Sequence, residues 1–192
     1  MNIASKILNK KNDNQTIFTI TEILQITGVN DTSILNSSLG YAINKGYIYR
    51  ITRGIYSLKK EYSKEELANK LRKPSYISLY TVLQKSGVVF QPYTSIYAIT
   101  NRSEDIEVDG QKYIYRKIKD DILLNNLGIE NINGVMTAMN ERAICDKLYL
   151  DGEEYFDNIR DINWDLMKEL NTKVYMNNPI ISNFIQAYTF NG

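Results

Sequence analysis

The first 58 residues carry a close series of start and stop signals, and these constrain the fold more than any property of the whole chain. Ile3, Ala4, Ile7 and Leu8 follow the one-face spacing of an amphipathic helix, predicted from Ile3 to Asn12. Thr19 stands three residues before Glu22, a capping box that satisfies orphan amide donors and starts a helix running to about Thr27. Gly28-Val29-Asn30 turns the chain. Asp31 can cap a third helix, which places Ile34, Leu35, Leu39, Ala42 and Ile43 on one face and stops at Lys45-Gly46. Tyr47 to Leu58 then forms two β-rich runs broken by a polar turn ending in Gly54, the pattern of a hairpin.

Helix, helix, short turn, helix, hairpin is the order of a winged helix-turn-helix, in which the third helix enters the major groove and the hairpin is the wing. The face opposite the apolar stripe presents Ser33, Ser37, Gly40 and Asn44, with Thr32, Asn36 and Tyr41 at its edges. Asn pairs with adenine edges, Ser and Thr bond bases or phosphates, and a glycine permits close approach to a duplex. Lys45, Arg50 and Arg53 follow where a wing meets phosphates or the minor groove. An ordinary solvated helix face has similar residues, and the lack of Arg or Lys on it suits that reading. Element order, charge and the turn together favour DNA.

Charge supports the same division. The chain has 192 residues, one large domain or two small ones, and its net charge of +1 hides a split: residues 1 to 73 carry +6, residues 74 to 192 carry −5. Basic surface binds phosphate by releasing counterions, so nucleic-acid contact belongs to the front. With 43% apolar and 23% charged residues the chain reads as folded and soluble. The absence of histidine removes Ser-His and Cys-His catalysis and histidine metal sites, and a single cysteine, Cys145, removes disulfides and suits the reducing cytosol. No apolar run is long enough for a membrane span, and the N-terminus has no apolar export core, so a cytoplasmic location is expected.

Ser63 with Glu66 forms a second capping box opening a helix to Leu71, and Lys73-Pro74-Ser75 interrupts the chain. Ser75 to Ser86 is predicted helical, ending at Gly87; strands are predicted at Ser95 to Thr100 and on both sides of Asp109-Gly110. Helices follow at about Asn140 to Leu150, Trp164 to Leu170 and Pro179 to Tyr188. The expected fold is α+β: a winged helix-turn-helix over residues 1–60 and a mixed α/β domain over residues 61–192.

Asp105, Glu107 and Asp109 alternate with apolar residues, which on a strand puts three carboxylates on one face, as a Mg²⁺-dependent nuclease requires; the wet side of an exposed hairpin has the same pattern. The pairs Asp120-Asp121 and Glu153-Glu154 read as surface. Cys145 reads as a small core residue, and Arg142 with Asp146 as a surface pair worth a few tenths of a kcal/mol, roughly. No glycine-rich phosphate loop occurs, and nothing calls for a cofactor or metal.

Arg53-Gly54-Ile55-Tyr56 closing the hairpin, Lys73-Pro74-Ser75-Tyr76-Ile77-Ser78-Leu79-Tyr80 opening a helix, Ile99-Thr100 on a strand and Glu141-Arg142-Ala143 opening a late helix resemble the AbiEi-type antitoxins over about residues 15 to 150. The resemblance implies an abortive-infection, phage-defence system of the type IV toxin–antitoxin class: a winged helix that represses its own operon at promoter inverted repeats, and a C-terminal antitoxin domain. Its implied partner is a nucleotidyltransferase-like toxin, counteracted without need of a stable complex. The matching DNA-binding positions are Ser33, Asn36, Ser37 and Tyr41 on the helix and Arg50, Thr52 and Arg53 on the wing. The chain is expected not to be an enzyme. Rival readings are a stand-alone regulator whose acidic half binds a ligand or protein, and the nuclease.

Overall fold

A computed structural model describes residues 3–11, 14–29 and 31–189. The expected helix end at Asn12 and the turn residue Asn30 lie outside them. The front of the chain runs α1 (Ile3–Lys10), β1 (Ile17–Thr19), α2 (Ile20–Thr27), α3 (Thr32–Asn44), β2 (Tyr49–Thr52) and β3 (Ile55–Ser57). Local chemistry sets the helix ends. Thr19 and Glu22 form the full capping box, and Gly28, at φ 66°, closes α2 in the left-handed conformation that a side chain disfavours. Asp31 accepts from the amides of Ser33 at 2.7 Å and Ile34 at 3.3 Å to start α3.

Strand β1, absent from the sequence reading, pairs antiparallel with β3 and gives a three-stranded sheet of order β1-β3-β2. At three residues it is too short to show a period. Ile7, Phe18, Ile23, Leu35, Leu39 and Ile48 form the core beneath it. Ile34 does not join them. It is 56% exposed, because it lies about 100° around the helix from Leu35, outside the narrow stripe of Leu35, Leu39 and Ala42 that faces the core.

The rest of the chain comprises α4 (Lys64–Leu71), β4 (Ser75–Ile77), α5 (Tyr80–Lys85), β5 (Ile96–Thr100), β6 (Glu104–Val108), β7 (Gln111–Lys117), α6 (Asp120–Leu123), β8 (Ile129–Ile132), β9 (Val135–Ala138), α7 (Asn140–Asp151), α8 (Trp164–Lys173) and α9 (Pro179–Thr189). Six strands form a mixed sheet of order β6-β7-β5-β4-β9-β8, parallel at β5–β7 and β4–β9. Ser75 to Ile77 is therefore strand, not the start of a helix. It pairs on both sides, Ser75 with Thr100 and Ile77 with Thr137, and a strand buried between two neighbours has the same continuous apolar pattern as a buried helix. Leu79, at φ 53°, makes the corner before α5 begins.

Helix α7 lies within the core, packed against α5, α8 and α9, with every residue from Glu141 to Leu148 buried. Arg142 and Asp146 thus form a buried pair, correcting the surface reading: the sequence shows their spacing but not the layers that cover them. Asp146 accepts hydroxyl bonds from Ser78 at 2.7 Å, Tyr175 at 2.7 Å and Tyr76 at 3.0 Å. Arg142 donates to the carbonyls of Ile122 at 2.7 Å and Leu127 at 2.8 Å. Burial pushes the Asp146 carboxyl up, against the pull of the guanidinium and the three hydroxyls. Cys145 is fully buried beside them, and burial raises its thiol well above the ordinary range.

The front of the chain is joined to the rest through α4. The buried Glu66 carboxylate accepts from the Thr16 amide at 2.9 Å, the Thr16 hydroxyl at 2.7 Å and the Ile17 amide at 3.2 Å. Ser63 caps the Glu66 amide, but the return half of the predicted box is missing, since the Ser63 amide donates to Thr16 Oγ1 at 3.0 Å instead. Lys70 pairs with Glu22, and Ile17 and Ile55 pack into the larger core.

Candidate nucleic-acid interface

The outward face of α3 is built by subtraction. Leu35, Leu39 and Ala42 turn inward, and the 3.6-residue period then leaves Ser33, Asn36, Ser37, Tyr41 and Asn44 exposed on the other side. Thr32 is exposed at the first turn. Gly40 lies half-buried in the middle of this face, and a methyl group there would meet no atom within 4 Å. Its backbone dihedrals are ordinary and its surroundings open, so packing gives no reason for glycine. Lys45 caps the helix and reaches back over the Tyr41 ring, 5.9 Å from its centre.

The hairpin residues stand on a separate element. Arg50 is exposed on β2, Arg53 is exposed in the turn, and Thr52 is half-buried opposite Ile55. No hydrogen bond joins them to the α3 residues among the described residues. Ile34, at the edge of the same outward face, and the exposed Lys59 and Lys60 after β3 lie outside the residues that the sequence predicts for the site. Lys59-Lys60 is visible in the sequence as a basic pair; Ile34 was hidden by its own hydrophobicity.

The two halves use their cations differently. Lys45, Arg50, Arg53, Lys59 and Lys60 have no carboxylate within 4 Å among the described residues, whereas eight of the eleven Lys and Arg residues after position 73 do. Lys147 is typical of the second group, bonded to Asp151 at 2.8 Å and Glu154 at 2.6 Å. Burial works against its charge, and those two carboxylates outweigh it and hold the ammonium above its ordinary range. Glu154 is accordingly half-buried and paired, not a free surface acid; it also accepts from the Tyr80 hydroxyl at 2.7 Å.

The acidic alternation resolves into separate contacts. Asp105 and Glu107 are exposed on β6, while Asp109 sits in the turn; Asp105 pairs with Lys112 at 2.7 Å and Asp109 accepts from Tyr62. Among the described residues no group of three or more His, Cys, Asp or Glu is placed to hold a metal ion. A cleft of about 720 Å³ is lined by Leu8, Tyr47 and Leu58 and by no residue of α3. No helix among the described residues is long and apolar enough to cross a membrane.

No family model and no curated protein matches this chain.

Proposed function

We propose that the front of the chain is a winged helix-turn-helix that binds duplex DNA, with α3 in the major groove and the β2–β3 hairpin as the wing. The order α1, β1, α2, α3, β2, β3 and the small antiparallel sheet support the motif. The observation that carries the reading is the pairing of an outward polar helix face with exposed cations lacking carboxylate partners at Lys45, Arg50 and Arg53. Cations already neutralised by carboxylates release no counterions on meeting phosphate; free ones do.

On the residues that resemble the AbiEi-type antitoxins, the protein is a repressor of its own type IV toxin–antitoxin operon and the antidote to a nucleotidyltransferase-like toxin. In this reading repression is steric, and the chain carries no catalytic step. The front half holds operator DNA in the cytoplasm, and the larger acidic half acts against the toxin with no stable complex required.

Titrating the full chain against DNA upstream of its coding sequence, at several salt concentrations, tests the first part. Binding that weakens steeply with salt, with a shallower salt slope in the Arg50→Ala, Arg53→Ala double variant, supports it; promoter binding unchanged in that variant overturns the wing. Co-expression with the product of the adjacent gene tests the second part, since an antidote restores growth and a stand-alone regulator does not.

A further inference from the structure

We infer that Ile34 reads thymine methyl groups, so that the duplex selected by α3 presents A·T pairs where the helix meets the major groove. The inference rests on the DNA-binding reading and names the substrate class of that same face. Ile34 is a branched aliphatic side chain, 56% exposed, one ridge along the helix with Ser37 and Tyr41. No buried neighbour explains it, because the core stripe of α3 is already complete without it. In the major groove the thymine C5 methyl is the one apolar group a base pair offers, and an aliphatic side chain is its natural contact.

The polar chemistry elsewhere on the helix agrees. Asn36 and Asn44 are exposed amides, each offering the donor and acceptor that match adenine N7 and N6. Guanine is read most often by Arg or Lys, and Thr32 to Asn44 contains neither. The nearest cations stand beyond the end of the helix, where Lys45 folds back over Tyr41 and Arg50 and Arg53 occupy the hairpin, positions suited to phosphate. Gly40 leaves bare backbone on the outward side of the helix, about two turns beyond Ile34, where a duplex can approach closely.

The test starts from the full chain and a pool of duplexes with a randomised centre. Retained duplexes should be enriched in A·T pairs at the half-site centre. Replacing a thymine there with uracil, which lacks only the methyl, should weaken wild-type binding about fourfold and leave Ile34→Ala almost unchanged. Ile34→Val, which keeps a branched side chain, should fall between them. Enrichment of G·C pairs, or an equal uracil penalty in wild type and Ile34→Ala, overturns the inference while leaving DNA binding intact. Failure to retain any duplex overturns the DNA-binding reading itself and this inference with it.

Discussion

Arg142 and Asp146 lie one helical turn apart inside the molecule, both fully buried, with Arg142 Nε 3.6 Å from Asp146 Oδ1 and without a hydrogen-bond acceptor of its own. The carboxylate is held mainly by the hydroxyls of Ser78, Tyr76 and Tyr175, and the guanidinium mainly by backbone carbonyls. Asp146→Ala removes the acceptor for three hydroxyls and leaves a buried cation uncompensated, so the urea unfolding midpoint should drop by the equivalent of about 3–5 kcal/mol. Asp146→Asn leaves the same cation unpaired but keeps an acceptor for the hydroxyls, and should lose less. Equal losses in the two variants would mean that charge, not hydrogen bonding, sets the cost.

Gly40→Ala should move stability and binding in opposite directions. Alanine suits the helix interior better than glycine by about 0.5–1 kcal/mol, and the new methyl group meets nothing in the protein. Thermal melting should therefore rise. DNA affinity should fall, because the methyl stands where a duplex would approach. Stabilisation with unchanged affinity would remove Gly40 from the contact face.

Acid should loosen the molecule. Arg72 holds the Glu104 carboxyl below its ordinary value of 4.5. For Glu22 burial pulls the other way, and bonds from Lys70 and the Thr19 amide overcome it. These carboxylates bind fewer protons folded than unfolded, so their stabilisation is complete above about pH 4.5 and is lost as pH falls through the lowered folded values. Asp146, raised by burial, works in the opposite sense. Melting temperature followed from about pH 6 to about pH 3 should fall, with a shallower fall in Glu104→Gln; a flat profile would show that these pairs contribute nothing.

Glu66→Gln should weaken the junction between the front and back of the chain. A glutamine offers one acceptor oxygen where two carboxylate oxygens now receive the Thr16 and Ile17 donors, at an expected cost of about 1–3 kcal/mol. The exposed Lys59-Lys60 pair is the sensitive reporter: trypsin should cut there faster in the variant. An unchanged cleavage rate would count against Glu66 as the tether.

What was legible in the sequence is what short-range chemistry decides. Thr19 with Glu22, Gly28 and Asp31 bound their helices as read, and Asp109-Gly110, both at positive φ, make the expected hairpin turn. Asn133-Gly134 carries the same signal, with φ of 54° and 87°, and reading it would have revealed β8 and β9. Strands β1 and β4 could not be found this way, since three residues show no period and exist as strands only through their partners. The burial of Arg142 and Asp146, like the exposure of Ile34, depends on which elements cover a helix, and spacing along the chain is silent about that.

The bond set between Thr16, Ile17 and Glu66 has a geometric consequence for whatever the front of the molecule holds. The Glu66 bonds, the Ser63–Thr16 bond, the Lys70–Glu22 pair and shared core residues hold head and body at one angle in this structure. On a duplex, that bulk would cast a fixed shadow over the neighbouring base pairs, and a polymerase would meet an obstacle wider than the few bases in contact.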